Sequence, residues 1–521
     1  MPFHPHPALN SGKIERGHHD RRLRCGHPGR YDPGTGGGAI AAREGARVAL
    51  VESPGEVAAQ VERHLSLAIL AQASQDTLNR QSKGQTGPAA PEPDVWARLG
   101  EQIQACAAVA YPHLGLEGLA ASGVDVVMGQ GQFSPKPRLA LSTPERLLRG
   151  RVFLLCPDTR LMVPAIPGLA QVPYLTLDRL LQEPVQPPDL AILGRSSAAI
   201  ACQAALLGSR VTLVSRGRSL LPTEDEDIST LVESLLQAAG VTLHLGVQIE
   251  AIHHRDQVEI YSSDGFLFKA GQLLLATARH PQVAGLNLRG IGVKGDRTGL
   301  AVDDRLTTTH PRVFACGPAL GGYWAETTDH QDVTTALHNS LYLPRRQIGH
   351  LHRLGLLHTA PEFARLGLTA TQAQQGYGPA VWVFQVPFSQ VIKPHLLGDV
   401  TGICRWVVHR DGRLLGTQIC GPGASELIQT MALLMQQDIR ISQLEKLAGL
   451  PQSLTAILHE MRQPGSSDAG KQAPGDGMGP KTGSTGDDLG VTAGNDLYQT
   501  LVTCPQLVWG KQPFAPTGYL F

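Results

Sequence analysis

Two stretches of the chain nearly repeat: GARVALVES (45–53) and GSRVTLVSR (208–216). Each opens on a glycine, runs through a short β-branched strand and ends on a polar residue. Each also follows a small-residue stretch able to form a helix, GAIAARE in the first and SAAIACQAALL in the second. Strand, tight glycine turn, helix and strand make half of a dinucleotide-binding unit. Two such halves about 160 residues apart predict two nucleotide sites in one chain.

The remaining pattern surrounds these halves. Residues 55–80 and 94–120 read as helical, and VDVVMGQGQF and RVFLLCP read as strands. After the second half, VTLHLG, IEAIHH, VEIYSS and LLLATA read as a meander of short strands. Beyond 346, AVWVFQVPF, GICRWVVHR and RLLGTQICG alternate as antiparallel strands with a tight turn at Asp411-Gly412, and ASELIQTMALLMQQ has helical spacing. Residues 463–495 lack apolar periodicity and read as a disordered linker; 496–521 form an aromatic tail.

Composition narrows the function classes. With 521 residues and 42% hydrophobic side chains the chain can bury sizeable cores, and 45 basic against 45 acidic residues give no reason to expect nucleic acid or an anionic membrane. No apolar run reaches the length of a membrane span. The opening MPFHPHPALNSGKIERGHHDRR has no apolar core behind its charges and does not read as a secretory signal. The eight cysteines form no C-x-x-C pair and read as reduced, mostly buried thiols, so a cytoplasmic location is expected.

The segments GARVALVE, VPAIPGLAQVPYLT, GSRVTLVSRGRSLLPTEDEDI, LLLATARHPQVAGLNLRGIGV, LAVDDRLTTTHPRVFACG, APEFARLGLTATQAQQ and GRLLGTQICGPGASELIQTMALLM carry a resemblance from about Gly45 to Glu460. In order and spacing the chain resembles the pyridine nucleotide–disulfide oxidoreductases, the flavoproteins that include dihydrolipoamide dehydrogenase and mercuric reductase. It looks like a divergent branch without the redox dithiol. The resemblance implies an α/β fold with two Rossmann-like domains and an α+β interface domain. After an atypical segment (1–33), these are a discontinuous FAD domain (34–186 and 270–345), an NAD(P) domain (187–269) and a dimerisation domain (346–462). It further implies a homodimer that passes hydride from nicotinamide to flavin and on to a small acceptor.

Site residues follow from the same resemblance. Glu52 ends the second strand of the first unit, where the family's acid accepts hydrogen bonds from the FAD ribose. An ordinary helix length counted back from Gly45 puts the last fingerprint glycine at Gly34 and the earlier positions at Gly29 and Tyr31. Gly36 and Gly38 offer a second register with a shorter helix. In the second unit Gly194 opens the turn, with Ser196 and Ala199 as small substitutes. Ser215 replaces the acid expected at the strand end, and Arg216 and Arg218 follow, which favours NADPH over NADH because guanidinium groups bind a 2′-phosphate. Arg279 follows ATA (276–278) as in the family, and Gly317 allows close backbone approach. Pro318 stands where the family's Asp grips the flavin's ribityl chain, and proline offers no acceptor.

Other departures are expected to remove thiol exchange. SPGEVAAQVERHL after Glu52 lacks the two cysteines, and GLPQSLTAIL lacks the acid–base His and Glu. These losses keep a second expectation open, a degenerate and flavin-free scaffold. Three further patterns have plainer readings: GRSSA (194–198) could pass for a hydrolase elbow on Ser196 but fits the flavoprotein order of segments, His350, His352 and His358 could bind zinc but lack flanking carboxylates or cysteines, and EDED (224–227) places carboxylates at a helix N-terminus.

Overall fold

The computed structural model describes residues 33–460, with internal exceptions chiefly at 53–68, 78–94, 196–200, 322–328, 349–353 and 447–449. Residues 1–32, the linker and the aromatic tail lie outside the described residues, as do Ser196, Ala199, His350, His352 and most of the helix expected at 55–80.

In the first domain, helix α1 (Pro33–Arg43) leads into strand β1 (Val48–Glu52), which pairs in parallel with β2 (Val124–Met128). Helices α2 (Val95–Leu114) and α3 (Leu116–Ala121) intervene. Buried Ala39, Leu119 and Val124 form the contact of α1 and α3 with this pair. A small antiparallel sheet follows: β3 (Gln132–Ser134), β4 (Ala140–Ser142) and β5 (Leu147–Leu148). After it come β6 (Phe153–Leu155) and β7 (Thr159–Leu161).

The second domain is a three-layer unit. Strands β8 (Asp189–Leu193), β9 (Arg210–Ser215) and β10 (Val241–Leu245) are parallel, with α4 (Glu226–Ala238) joining β9 to β10. An antiparallel sheet of β11 (Ile249–His254), β12 (Val258–Ser262) and β13 (Leu267–Ala270) follows. Then β14 (Gln272–Leu275) returns to pair in parallel with β8, giving the order β10-β9-β8-β14. The expected meander therefore forms only in part: IEAIHH and VEIYSS pair antiparallel, whereas VTLHLG and LLLATA are parallel strands of the larger sheet. LLLATA is a buried parallel strand of the second sheet, so this domain runs past residue 269 to at least Leu275. The reason is burial on both faces. Leu274 packs with Leu190 and Ile192 against helices, while Leu273 and Leu275 pack with Ala191 and Leu193 against the antiparallel sheet.

The chain then re-enters the first domain through β15 (Arg279–Pro281), antiparallel to β7, and β16 (Val313–Ala315), parallel to β6. Helix α5 (Asp329–Leu341) covers this pair, its Val333, Ala336 and Leu337 buried with Phe314 and with Ala41 of α1. The C-terminal domain is one antiparallel sheet in the order β17 (Leu354–Leu357), β18 (Phe363–Gly367), β21 (Leu414–Cys420), β20 (Ile403–His409), β19 (Val381–Pro387). As expected, Gly412 at positive φ turns β20 into β21, and helix α7 (Ala424–Gln436) buries Leu427, Ile428 and Met431 on the sheet; α6 (Ala370–Tyr377) precedes β19.

The acidic run EDED does more than favour a helix dipole. Asp225 caps α4, but its carboxylate accepts from the backbone N–H of Ala370 (2.9 Å) and Thr371 (3.1 Å) at the start of α6. Glu224 lies buried 3.3 Å from Arg365 of β18, and Asp227 pairs with Arg405 of β20 through both terminal nitrogens. The run joins the second domain to the C-terminal sheet. Burial pushes the Glu224 carboxyl above its ordinary range, opposed by Arg365, whereas the Arg405 hydrogen bond holds Asp227 below its own.

Candidate functional site

The repeated glycine has a concrete job in both halves. Gly45 (φ 82°) donates to Ala42 O and the next residue, Ala46, donates to Ala41 O. Gly208 (φ 105°) and Ser209 repeat this on Ala205 O and Ala204 O. Each pair is a Schellman close, in which the glycine takes the left-handed conformation that a side chain resists. The helix stops abruptly and the chain drops into a parallel strand.

Those strands end on the residues that the sequence singles out, Glu52 and Ser215. Glu52 is the last residue of β1, half-buried, with its carbonyl accepting from Gly129 N (2.8 Å). Helix α1 begins at Pro33, so Gly34 occupies its first turn and Gly36 and Gly38 lie inside it; the shorter-helix register does not form. Proline at a first helical position starts a helix readily, which accounts for the early start. Gly38 faces the sheet, and a methyl added there would rest 3.9 Å from Val124 and 4.0 Å from Val48.

The second cradle is tighter. Gly194 follows β8 at φ 116°, donating to Val214 O, and a Cβ there would stand 2.3 Å from the carbonyl oxygen of Ala276 beyond β14. Only glycine fits. Ser215, buried at the end of β9, accepts from Gly217 N through its hydroxyl (3.1 Å) and so closes the turn. Arg216 and Arg218 are exposed just beyond. Sequence reasoning missed a third cation: Arg195 lays its guanidinium over Gly217, with Nη1 2.5 Å from where a Cβ would be. Its position directly after the turn glycine was the available signal. Among the described residues, no hydrogen bond or ion pair occupies any of these three guanidinium groups.

Three arginines at or near this strand end, where a serine stands in place of an acid, are the kind of donor set that suits a phosphate monoester. In the first half Glu52 stands at the end of β1, and Gly317 (φ 60°) opens a short 3-10 turn after β16. Pro318 in that turn is buried; its carbonyl accepts from Gly321 N (3.1 Å), and its side chain supplies no acceptor. Arg279 holds β7, its Nε 2.7 Å from Thr159 Oγ1 and its Nη2 2.8 Å from Thr159 O. His358 lies 3.9 Å from Glu362, and no cluster of three metal-ligating side chains occurs among the described residues. No helix among them is long and apolar enough to cross a membrane.

Thiols also meet here. Cys156 and Cys316, one residue past the paired ends of β6 and β16, bring their sulfurs within 2.9 Å. Their sequence separation hid this contact.

Known proteins share this plan. Dihydrolipoyl dehydrogenase of Bacillus subtilis is 30% identical over 282 residues, 53% of this chain and 60% of that protein. Mercuric reductase of Staphylococcus aureus is 28% identical, over 62% of this chain and 60% of that protein. The chain thus spans about three fifths of the length of these relatives. A solved structure, the HOCl-induced flavoprotein disulfide reductase RclA from Escherichia coli, superposes with a TM-score of 0.68. It is 22% identical and covers 83% of this chain and 97% of its own. Residues 355–456 match the dimerisation domain of the pyridine nucleotide-disulphide oxidoreductases. Residues 34–338 match the main domain of the same family, more than half of the sequence, and the chain belongs to the pyridine nucleotide-disulphide oxidoreductase family.

Proposed function

We propose that this chain is a homodimeric, cytoplasmic FAD-dependent oxidoreductase that uses NADPH in preference to NADH and reduces a small acceptor of the quinone or dye type. The observation that carries the reading is the trio Arg195, Arg216 and Arg218 around Ser215 at the end of β9. A 2′-phosphate brings about two negative charges to that point, and an acid there would oppose it. Gly194 leaves the backbone room for the pyrophosphate, as Ser196 and Ala199 would in the turn that follows. Glu52 accepts the two ribose hydroxyls of FAD, and Gly34 and Gly317 let the backbone approach it. Arg279 positions rather than reacts, tying β15 to β7 through Thr159.

When bound, the nicotinamide and flavin supply the hydride chemistry, and the protein supplies position and electrostatics. No cysteine lies between Cys25 and Cys106, and Leu450 and Pro451 stand where an acid–base pair would serve a dithiol. We therefore assign no thiol exchange of the family's kind. Trp382, Ile392, Leu396 and Leu433 are large apolar side chains left exposed in the C-terminal domain, in keeping with a second copy covering them.

Pro318 favours a second reading, a scaffold without flavin, since one charge-assisted hydrogen bond lost costs about 1.5–3 kcal/mol. The visible spectrum of the purified full chain separates the two. Flavin bands bleached by NADPH without air support the oxidoreductase; a colourless protein that takes up no added FAD overturns it and leaves the scaffold. Sedimentation as a monomer at micromolar concentration would remove the homodimer.

A further inference from the structure

We propose that Cys156 and Cys316 form an oxidisable thiol pair, a disulfide-forming site distinct from any dithiol next to Glu52. The strands place them side by side. Ala315 pairs with Leu155 in the parallel register, and the ladder continues through Cys316 N to Leu155 O (3.1 Å), so the two cysteines are the next partners along. Neighbouring strands lie about 4.7–4.9 Å apart, inside the Cα separation of about 4.4–6.8 Å that a disulfide spans. Both side chains leave the same face, and the sulfurs stand 2.9 Å apart.

The two thiols are unequal. Cys156 is half-buried and Cys316 fully buried, both against the apolar cluster of Phe314, Val333, Ala336 and Leu337. An oxidant reaches Cys156 first, and the buried neighbour then resolves it. With a hydroperoxide as oxidant the steps balance. The Cys156 sulfur attacks the distal peroxide oxygen, the O–O bond breaks, and the thiol proton leaves with the alkoxide as an alcohol. The Cys316 sulfur then attacks the sulfenic sulfur; an S–S bond forms, the S–O bond breaks, and water carries off the remaining proton. Two thiols are oxidised by two electrons and the peroxide is reduced by two. The disulfide is itself apolar, so closing it inside this cluster strands no charge. It would staple β6 to β16 immediately before the Gly317 turn. None of this requires a bound nucleotide.

The test uses the full chain, reduced, freed of reductant and exposed to hydrogen peroxide. Remaining thiols are then alkylated in denaturant and the peptides mapped. The expected result is a Cys156–Cys316 linked peptide that dithiothreitol releases, with a higher unfolding midpoint for the oxidised protein. Cys316→Ala should leave Cys156 as a sulfenic acid that dimedone traps, and Cys156→Ala should protect Cys316 from oxidation. The proposal is overturned if wild-type Cys156 and Cys316 both remain alkylatable under peroxide that oxidises the solitary, half-buried Cys106. Equal oxidation of Cys316 with and without Cys156 would overturn it too, and that comparison stands even where the Cys316 variant fails to fold.

Discussion

The two nucleotide-binding halves share a Schellman glycine and diverge at the strand ends. The first keeps its carboxylate, Glu52, beside a relaxed helix in which Gly38 has room for a methyl. The second ends its strand on Ser215, has Arg195, Arg216 and Arg218 close by in sequence or space, and pinches its turn at Gly194 against Ala276. The lesson is that the two halves share how a helix hands over to a strand, whereas the terminal residue of that strand differs between them. Backbone geometry and ligand chemistry are separate constraints on neighbouring residues.

The contrast at the glycines can be broken most directly. Gly194→Val adds a Cβ against a backbone oxygen at a positive φ. Strain and overpacking together should cost on the order of 4 kcal/mol, read as a large fall in thermal midpoint and loss of nucleotide binding. Gly38→Ala should be neutral or gain up to about 1 kcal/mol, because alanine is the better helix former. If both variants behave alike, the halves are not differently built.

The next effect concerns what the second half is fastened to. Arg405→Ala strips a buried cation from Asp225, Asp227 and Gln385 and should cost about 3 kcal/mol in denaturant unfolding. The strand ends themselves come third. Ser215→Glu should lower the NADPH-over-NADH ratio about tenfold or more, and Arg216→Ala or Arg218→Ala should each weaken NADPH by roughly tenfold. Unchanged coenzyme preference in all three would erase the chemical distinction drawn between Glu52 and Ser215.

The smallest effect is in pH dependence. Arg405 depresses the Asp227 carboxyl, so this group's contribution to stability is complete above the ordinary aspartate range and fades as pH falls through the depressed value. Burial raises Glu224, so its pH dependence runs the other way: stability is full below the ordinary glutamate range and is lost as pH rises through the raised value. Because the Asp227 side chain is 62% exposed, Asp227→Asn should remove under about 1 kcal/mol, seen as a shallower loss of stability on acidification.

Much of this was legible in the sequence because the governing interactions are local. A glycine that must close a helix announces itself, and so do the period-two strands of the C-terminal sheet and the missing acid at Ser215. What was not legible depends on distant segments. LLLATA reads like one more strand of a meander, since nothing local says that it crosses back to lie beside β8. EDED had a sufficient local explanation in the helix dipole, which concealed its reach to Arg365 and Arg405. Cys156 and Cys316 are solitary in sequence and adjacent only after β6 and β16 pair. Arg195 was available beside Gly194, but its destination over Gly217 needed the turn's shape.

The clasp of Glu224, Asp225 and Asp227 on the neighbouring sheet has a mechanical consequence. To move the start of α4 away from the C-terminal sheet, all three contacts must break together: Glu224 with Arg365 of β18, Asp225 with the first N–H groups of α6, and Asp227 with Arg405 of β20.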